Sequence, residues 1–257
     1  MKQKKVISTL IGLLLIVIGV IEAIFTRDAA LAQDAPLGST IAFALSLLLV
    51  LAGILVIVIG LLPNANPVNI RTLSLAALFA ALCYIGFTYC KIDISVSGES
   101  TAFHLGNVFC VMAALLLGGF WGGMAGAVGM TLADLTTAYV TSAPKTFFLK
   151  LCIGLIVGFF AHKIFHLSEE KERKIPLPVA TVISCSAGML FNIIADPLVG
   201  YLYKTYIFGI PQDIAKTLAK LNSLTTAVNA VIAVVAATLL YLALRRAIAR
   251  TNLLPKL

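Results

Sequence analysis

The sequence predicts an all-α, polytopic membrane protein, and three observations carry that expectation. Of its 257 residues 60% are hydrophobic and only 12% charged, about half the charged fraction of an ordinary soluble domain. The mean hydropathy is +1.04. Apolar stretches approaching the roughly 20 residues needed to cross a hydrocarbon core recur from one end of the chain to the other. Such a composition excludes intrinsic disorder, a small disulfide scaffold and a cytosolic enzyme.

Eight apolar segments follow in order: 6–25, 41–62, 73–89, 104–117, 122–139, 145–165, 178–198 and 222–249. The first opens with Lys2, Lys4 and Lys5 and is followed by Ala30-Leu31-Ala32, imitating a cleaved secretory signal. Its apolar stretch is too long for a typical signal core, so a retained helix is expected. The fourth and fifth segments share one apolar run, and the glycines of GGFWGG at 118–123 are expected to turn the chain between them.

The formal net charge is +8, yet Lys and Arg are dispersed between apolar segments and form no aromatic-interleaved patch, so no nucleic acid is expected. They read as topology signals. With the N-terminus in the cytoplasm, twelve of the 19 basic residues fall on inner segments, so both termini are expected in the cytoplasm of a multi-pass cell-membrane protein. Cys83, Cys90, Cys110, Cys152 and Cys185 make no CxxC pair, so neither a metal site nor a disulfide is expected.

Ionisable groups inside a bilayer cost about 2.5–3.5 kcal/mol on insertion scales, so their depth is informative. In this orientation His104 and Asn107 sit one turn apart at the outer end of the fourth segment. Asp134 and Thr137 share a face of the fifth, with Tyr139 beyond them; Lys145 and Lys150 begin the sixth. Asn192 and Asp196 share a face near the outer end of the seventh, and Asn222, Thr225, Thr226 and Asn229 stripe the start of the eighth. The inner halves are almost wholly apolar or small, which disfavours a channel. An outward-facing site for a polar solute is expected, with Glu99 and Lys91 in a loop above it and Phe103, Tyr139 and Tyr201 available to stack on a flat ring.

Each residue also has a plainer reading. Lys145, Lys91 and Tyr139 suit interface anchors, Asp134 and Lys150 suit a neutralising pair, His104 suits a helix cap, and Asp196 before Pro197 suits a helix end. Asn222 and Asn229 suit helix-to-helix hydrogen bonding. In LSLAALFAALCYIGF, Ala76 with Ala80 and Ala77 with Ala81 form two small-xxx-small pairs that permit close helix approach. Gly118, Gly122 and Gly126 repeat that spacing.

Three stretches carry a family resemblance: AALFAAL, FHLGNVFCVMAALLLGGFWGGMAGAVGMTLADL and APKTFFLKLCIGLIVGFFAHK. Over roughly residues 70–250 the chain resembles the substrate-binding S components of energy-coupling factor (ECF) transporters, the importers of vitamins and their precursors. The resemblance implies a six-helix core, here 67–257; the N-terminal transmembrane hairpin expected from the apolar segments, 1–66, is a departure from the usual S component. It implies capture of a vitamin-like solute, in the riboflavin, pyridoxine or hydroxymethylpyrimidine class, under loops that close at the outer face. Ala76, Ala77, Ala80 and Ala81 are implied to dock on a transmembrane coupling protein, with two cytoplasmic ATPases completing the complex. The chain itself has no GxxxxGK[ST] and no cofactor is expected.

Two rival readings are weaker. An intramembrane hydrolase built on His104, Asp134 and Asp196 lacks HExxH, GxSxG or a paired-carboxylate motif. An ion-coupled secondary transporter calls for broken midplane helices and internal repeats, and the sequence shows neither.

Overall fold

The computed structural model describes residues 2–30, scattered positions between 39 and 53, and residues 70–96, 99–168 and 173–249. Among them are seven α-helices and one β-hairpin. Helix α1 is Lys2–Ala30 and α2 is Ile70–Thr88; strands β1, Lys91–Val96, and β2, Glu99–His104, pair antiparallel. Helices α3, Gly106–Leu117, and α4, Gly119–Leu135, precede a short 3-10 turn at Val140–Ser142. Helix α5, Ala143–Gly158, widens into a π-helical end, Phe159–Ile164; α6, Leu177–Leu202, does the same at Tyr203–Ile207, and α7 is Gln212–Ala249. Four stretches, Ile70–Thr88, Val140–Ile164, Leu177–Ile207 and Gln212–Arg245, are long and apolar enough to cross a membrane, and α3 is a shorter apolar helix. The predicted segment 41–62 lies outside the described residues except for isolated helical positions.

The chain divides into two compact units, 1–68 with 134–144 and 69–133 with 145–257. In the first, α1 buries Gly12 and Gly19 and exposes Leu10, Leu14, Val17, Ile24 and Phe25. A Cβ on Gly53 would meet the Gly12 carbonyl and the Ile16 side chain, so two helices approach closely there.

In the second unit, α6 packs along α7, α2 along α3, and α3 along α7. These helices are apolar over most of their surface, and small side chains mark their closest approaches. Cys83, Cys110, Ala113, Ala114, Cys185, Ala233 and Ala237 are fully buried, whereas Leu78, Leu190, Ile194, Leu198, Val231 and Leu239 face outward. Lipid tails are as apolar as leucine, so helices associate where small residues let backbones touch, while bulky residues both fill the core, as Leu115 and Met189 do, and face outward.

Several boundaries differ from expectation. The predicted loop after α2 is a hairpin: β-formers Ile92, Ile94, Thr101 and Phe103 flank a Ser-Gly pair in the sequence. His104 therefore ends a strand, and the fourth segment becomes helical at Gly106. The chain turns between α3 and α4 at Gly118 alone, whose φ of 84° is open to glycine and strained for other residues. The remaining glycines of GGFWGG belong to α4, where a Cβ on Gly122 would fall on the Ala114 backbone. Helix α4 ends at Leu135, so Tyr139 lies in the following turn and not in a span. Helix α7 starts at Gln212, ten residues before the expected 222, because Asp213, Lys216 and Lys220 hide an amphipathic opening that buries Ala215 and Leu218.

Candidate functional site

At the hairpin end of the second unit one carboxylate gathers three helices. Lys145 Nζ, on α5, lies 2.7 Å from Asp196 Oδ1 on α6. The other oxygen, Oδ2, accepts from Asn222 Nδ2 at 2.9 Å and Thr226 Oγ1 at 3.1 Å, both on α7. Periodicity explains the set: Asn222, Thr225, Thr226 and Asn229 fall at three- and four-residue spacings on one face of α7.

The same face holds β2. Asn222 Oδ1 accepts from Thr101 Oγ1 at 3.3 Å, and the Thr101 and Thr225 hydroxyls lie 2.9 Å apart. Asn229 Nδ2 donates to the Ala102 carbonyl at 2.9 Å, while its Oδ1 accepts from the His104 backbone N–H at 3.0 Å. Asp196, Asn222 and Asn229 are thus occupied with protein partners.

Deeper in the unit the arrangement changes. At a rise of about 1.5 Å per residue, Asn192 lies about 6 Å along α6 from Asp196, and Lys150 about 7.5 Å along α5 from Lys145. Asn107 follows His104 by three residues on α3. Asn107, Lys150 and Asn192 are 2%, 6% and 1% exposed. Among the described residues, Asn107 Oδ1, Asn192 Oδ1 and His104 Nδ1 are buried without a hydrogen-bond partner. Leaving such a group unsatisfied costs about 1–3 kcal/mol, a cost that a ligand offering donors removes. The His104 ring stands 4.6 Å from that of Phe87 at a 58° tilt, and Lys150 and Asp196 both act electrostatically on His104.

Beyond this tier the described interior is largely apolar. Leu115, Ile153, Val157, Met189, Ala233 and Ala237 fill it, and the Thr181 and Ser184 hydroxyls bond back to carbonyls of their own helix. Polar chemistry therefore lies at the hairpin end.

Of the expected residues, Asp196 and Asn222 are hydrogen-bonded to each other and Asn229 holds the His104 N–H, while Asn107, Lys150 and Asn192 are buried in the same second unit. Asp134, Thr137 and Tyr139 belong to the other unit, where the Thr137 N–H donates to the Asp134 carbonyl at 3.3 Å. Glu99 opens β2 opposite Val96 at the turn end of the hairpin. Lys91 pairs with Asp93 at 3.0 Å and lies 6.0 Å above the Phe87 ring. Phe103 pairs with Ile92 in the hairpin, and Tyr201 is half-buried in α6. The alanines divide: Ala76 is buried and the Ala80 carbonyl abuts Gly129, whereas Ala77 and Ala81 are exposed.

Sequence reasoning missed Thr101 and Phe87. Reading 91–104 as alternating strand residues would have exposed the first; a lone phenylalanine in an apolar helix gives no signal for the second.

A family model described as "ECF-type riboflavin transporter, S component" matches residues 67–246. No curated protein and no solved structure matches the chain.

Proposed function

We propose that this chain, which belongs to the S components of ECF-type riboflavin transporters, takes riboflavin itself. Membership makes it a multi-pass, non-catalytic membrane subunit that binds a transported substrate. The observation that supports the flavin is that two carbonyl oxygens, on Asn107 and Asn192, are buried without a partner in the unit that also buries Lys150. The flat isoalloxazine ring presents an imide N–H between two carbonyls, and the ribityl chain presents hydroxyls. Amide oxygens accept from the imide and the hydroxyls, an ammonium donates to a ring carbonyl, and the Phe87–His104 pair offers an aromatic wall. Pyridoxine and hydroxymethylpyrimidine, the other expected classes, contain no imide.

In this reading His104, Asn107, Lys150 and Asn192 contact the ligand, while Lys145, Asp196, Asn222 and Asn229 shape the entrance. The hairpin end faces outward and both termini lie in the cytoplasm, supported by the distribution of Lys and Arg. The exposed face bearing Ala77 and Ala81 meets the transmembrane coupling protein, and two cytoplasmic ATPases supply the energy. The division into an N-terminal segment, 1–66, and a capture core, 67–257, is supported by the start of the family match at residue 67.

The test is direct: the purified chain is extracted and the eluate analysed by mass spectrometry, and added riboflavin is titrated by quenching of its fluorescence. Co-purifying flavin and saturable quenching are expected. Absence of both, with pyridoxine or the pyrimidine bound instead, rejects the flavin assignment. Uptake that requires a counter-ion gradient and no ATP rejects the ECF partnership.

A further inference from the structure

We propose that the polar stripe of α7 is a latch for the β-hairpin, and that Asn229 is its positioning residue and touches no ligand. The inference rests on the capture function above and adds to it which residues set the rates of entry and exit.

A two-stranded hairpin is marginal by itself, and β1 pairs with β2 alone among the described residues. The outer edge of β2 is completed by a side chain. Asn229 donates Nδ2–H to the Ala102 carbonyl and accepts the His104 N–H on Oδ1, at 2.9 and 3.0 Å. Those two backbone groups flank Phe103, which is the pattern that the N–H and C=O of one residue of a neighbouring parallel strand make in a ladder. The amide of Asn229 thus substitutes for a third strand, supplied by a helix. It is 3% exposed, and its oxygen and nitrogen both point at β2. Seven and four residues earlier, Asn222 Oδ1 and Thr225 Oγ1 hold the Thr101 hydroxyl of the same strand. Four short contacts along one helix face therefore fasten one strand, and they release together when β2 lifts away.

The experiment uses the full chain in detergent, with riboflavin binding followed by stopped-flow fluorescence and backbone exchange followed at the His104 amide. In Asn229→Ala, association and dissociation rates are expected to rise together by about tenfold, the effect of losing two net hydrogen bonds, with Kd changed much less. Amide exchange at His104 accelerates in the ligand-free protein. Faster dissociation with unchanged association makes Asn229 a ligand contact and overturns the proposal, as does unaltered exchange at His104.

Should Asn229→Ala fail to fold, the double variant Thr101→Cys/Thr225→Cys, in a Cys90→Ser background, decides the matter. Oxidation is expected to block both entry and exit, and reduction to restore them; unchanged rates in the oxidised form overturn the latch. If the wild-type chain binds no riboflavin at all, the flavin assignment fails, while exchange at His104 still tests the latch.

Discussion

Asp196 is held from both sides: Lys145 meets one oxygen at 2.7 Å, and Asn222 and Thr226 meet the other at 2.9 and 3.1 Å. Their side chains are 11% and 16% exposed for the Lys145 and Asp196 pair, so neither charge is well hydrated. Asp196→Asn leaves the ammonium without its counter-charge, and breaking a buried pair from one side costs about 3–5 kcal/mol. A clear fall in the thermal midpoint in detergent is expected. The double variant Lys145→Met/Asp196→Leu recovers much of it, because it removes both charges. A single variant as stable as the wild type contradicts the assignment.

Asn107→Leu and Asn192→Leu are expected to separate stability from affinity. Each removes a buried carbonyl oxygen that lacks a partner, so the thermal midpoint holds or rises. Riboflavin affinity falls by about tenfold or more per variant, the worth of one hydrogen bond to ligand. Falling stability with intact affinity means that these amides serve packing.

Ala77→Trp and Ala81→Trp place bulk on an exposed face of α2. Uptake by the assembled transporter is expected to be abolished with flavin binding by the isolated chain retained. Ala80→Trp is the contrasting control: the Ala80 carbonyl abuts Gly129, so this variant loses folded protein and binding together. Equal loss of binding in all three shows that the whole motif serves folding.

Gly129→Val forces a branched side chain onto the Ala80 carbonyl and the Cys83 side chain. Overpacking of this kind costs about 1–3 kcal/mol, occasionally more. Lower yield and a lower thermal midpoint are the expected result, read by fluorescence-detected size-exclusion chromatography.

Much of this fold is legible in residue order because lipid imposes one rule, that backbone polar groups be satisfied within each span. Helices α2, α5 and α6 lie close to their predicted limits for that reason. The hairpin was not read, because its strands are only six residues each and sit between two apolar helices, where hydropathy reports neither. The opening of α7 was missed because Asp213, Lys216 and Lys220 depress hydropathy while Ala215 and Leu218 remain buried. Depth of polar residues picks out Asp196, Asn222 and Asn229, which the structure links to one another or to the hairpin, yet depth says nothing of partners. Asn192 and Asn229 look alike in sequence; only coordinates show one carbonyl oxygen unpartnered and the other amide fastened to a strand.

Between α4 and α5 no side chain intervenes at two levels: a Cβ on Gly154 would strike Gly123, and one on Gly158 would strike Gly119. Gly122 meets the Ala114 backbone of α3 in the same manner. Surfaces of bare main chain have no cushion in which to slide, since any shear drives peptide into peptide. Main-chain contacts at these three levels tie α3, α4 and α5 into one closely packed block.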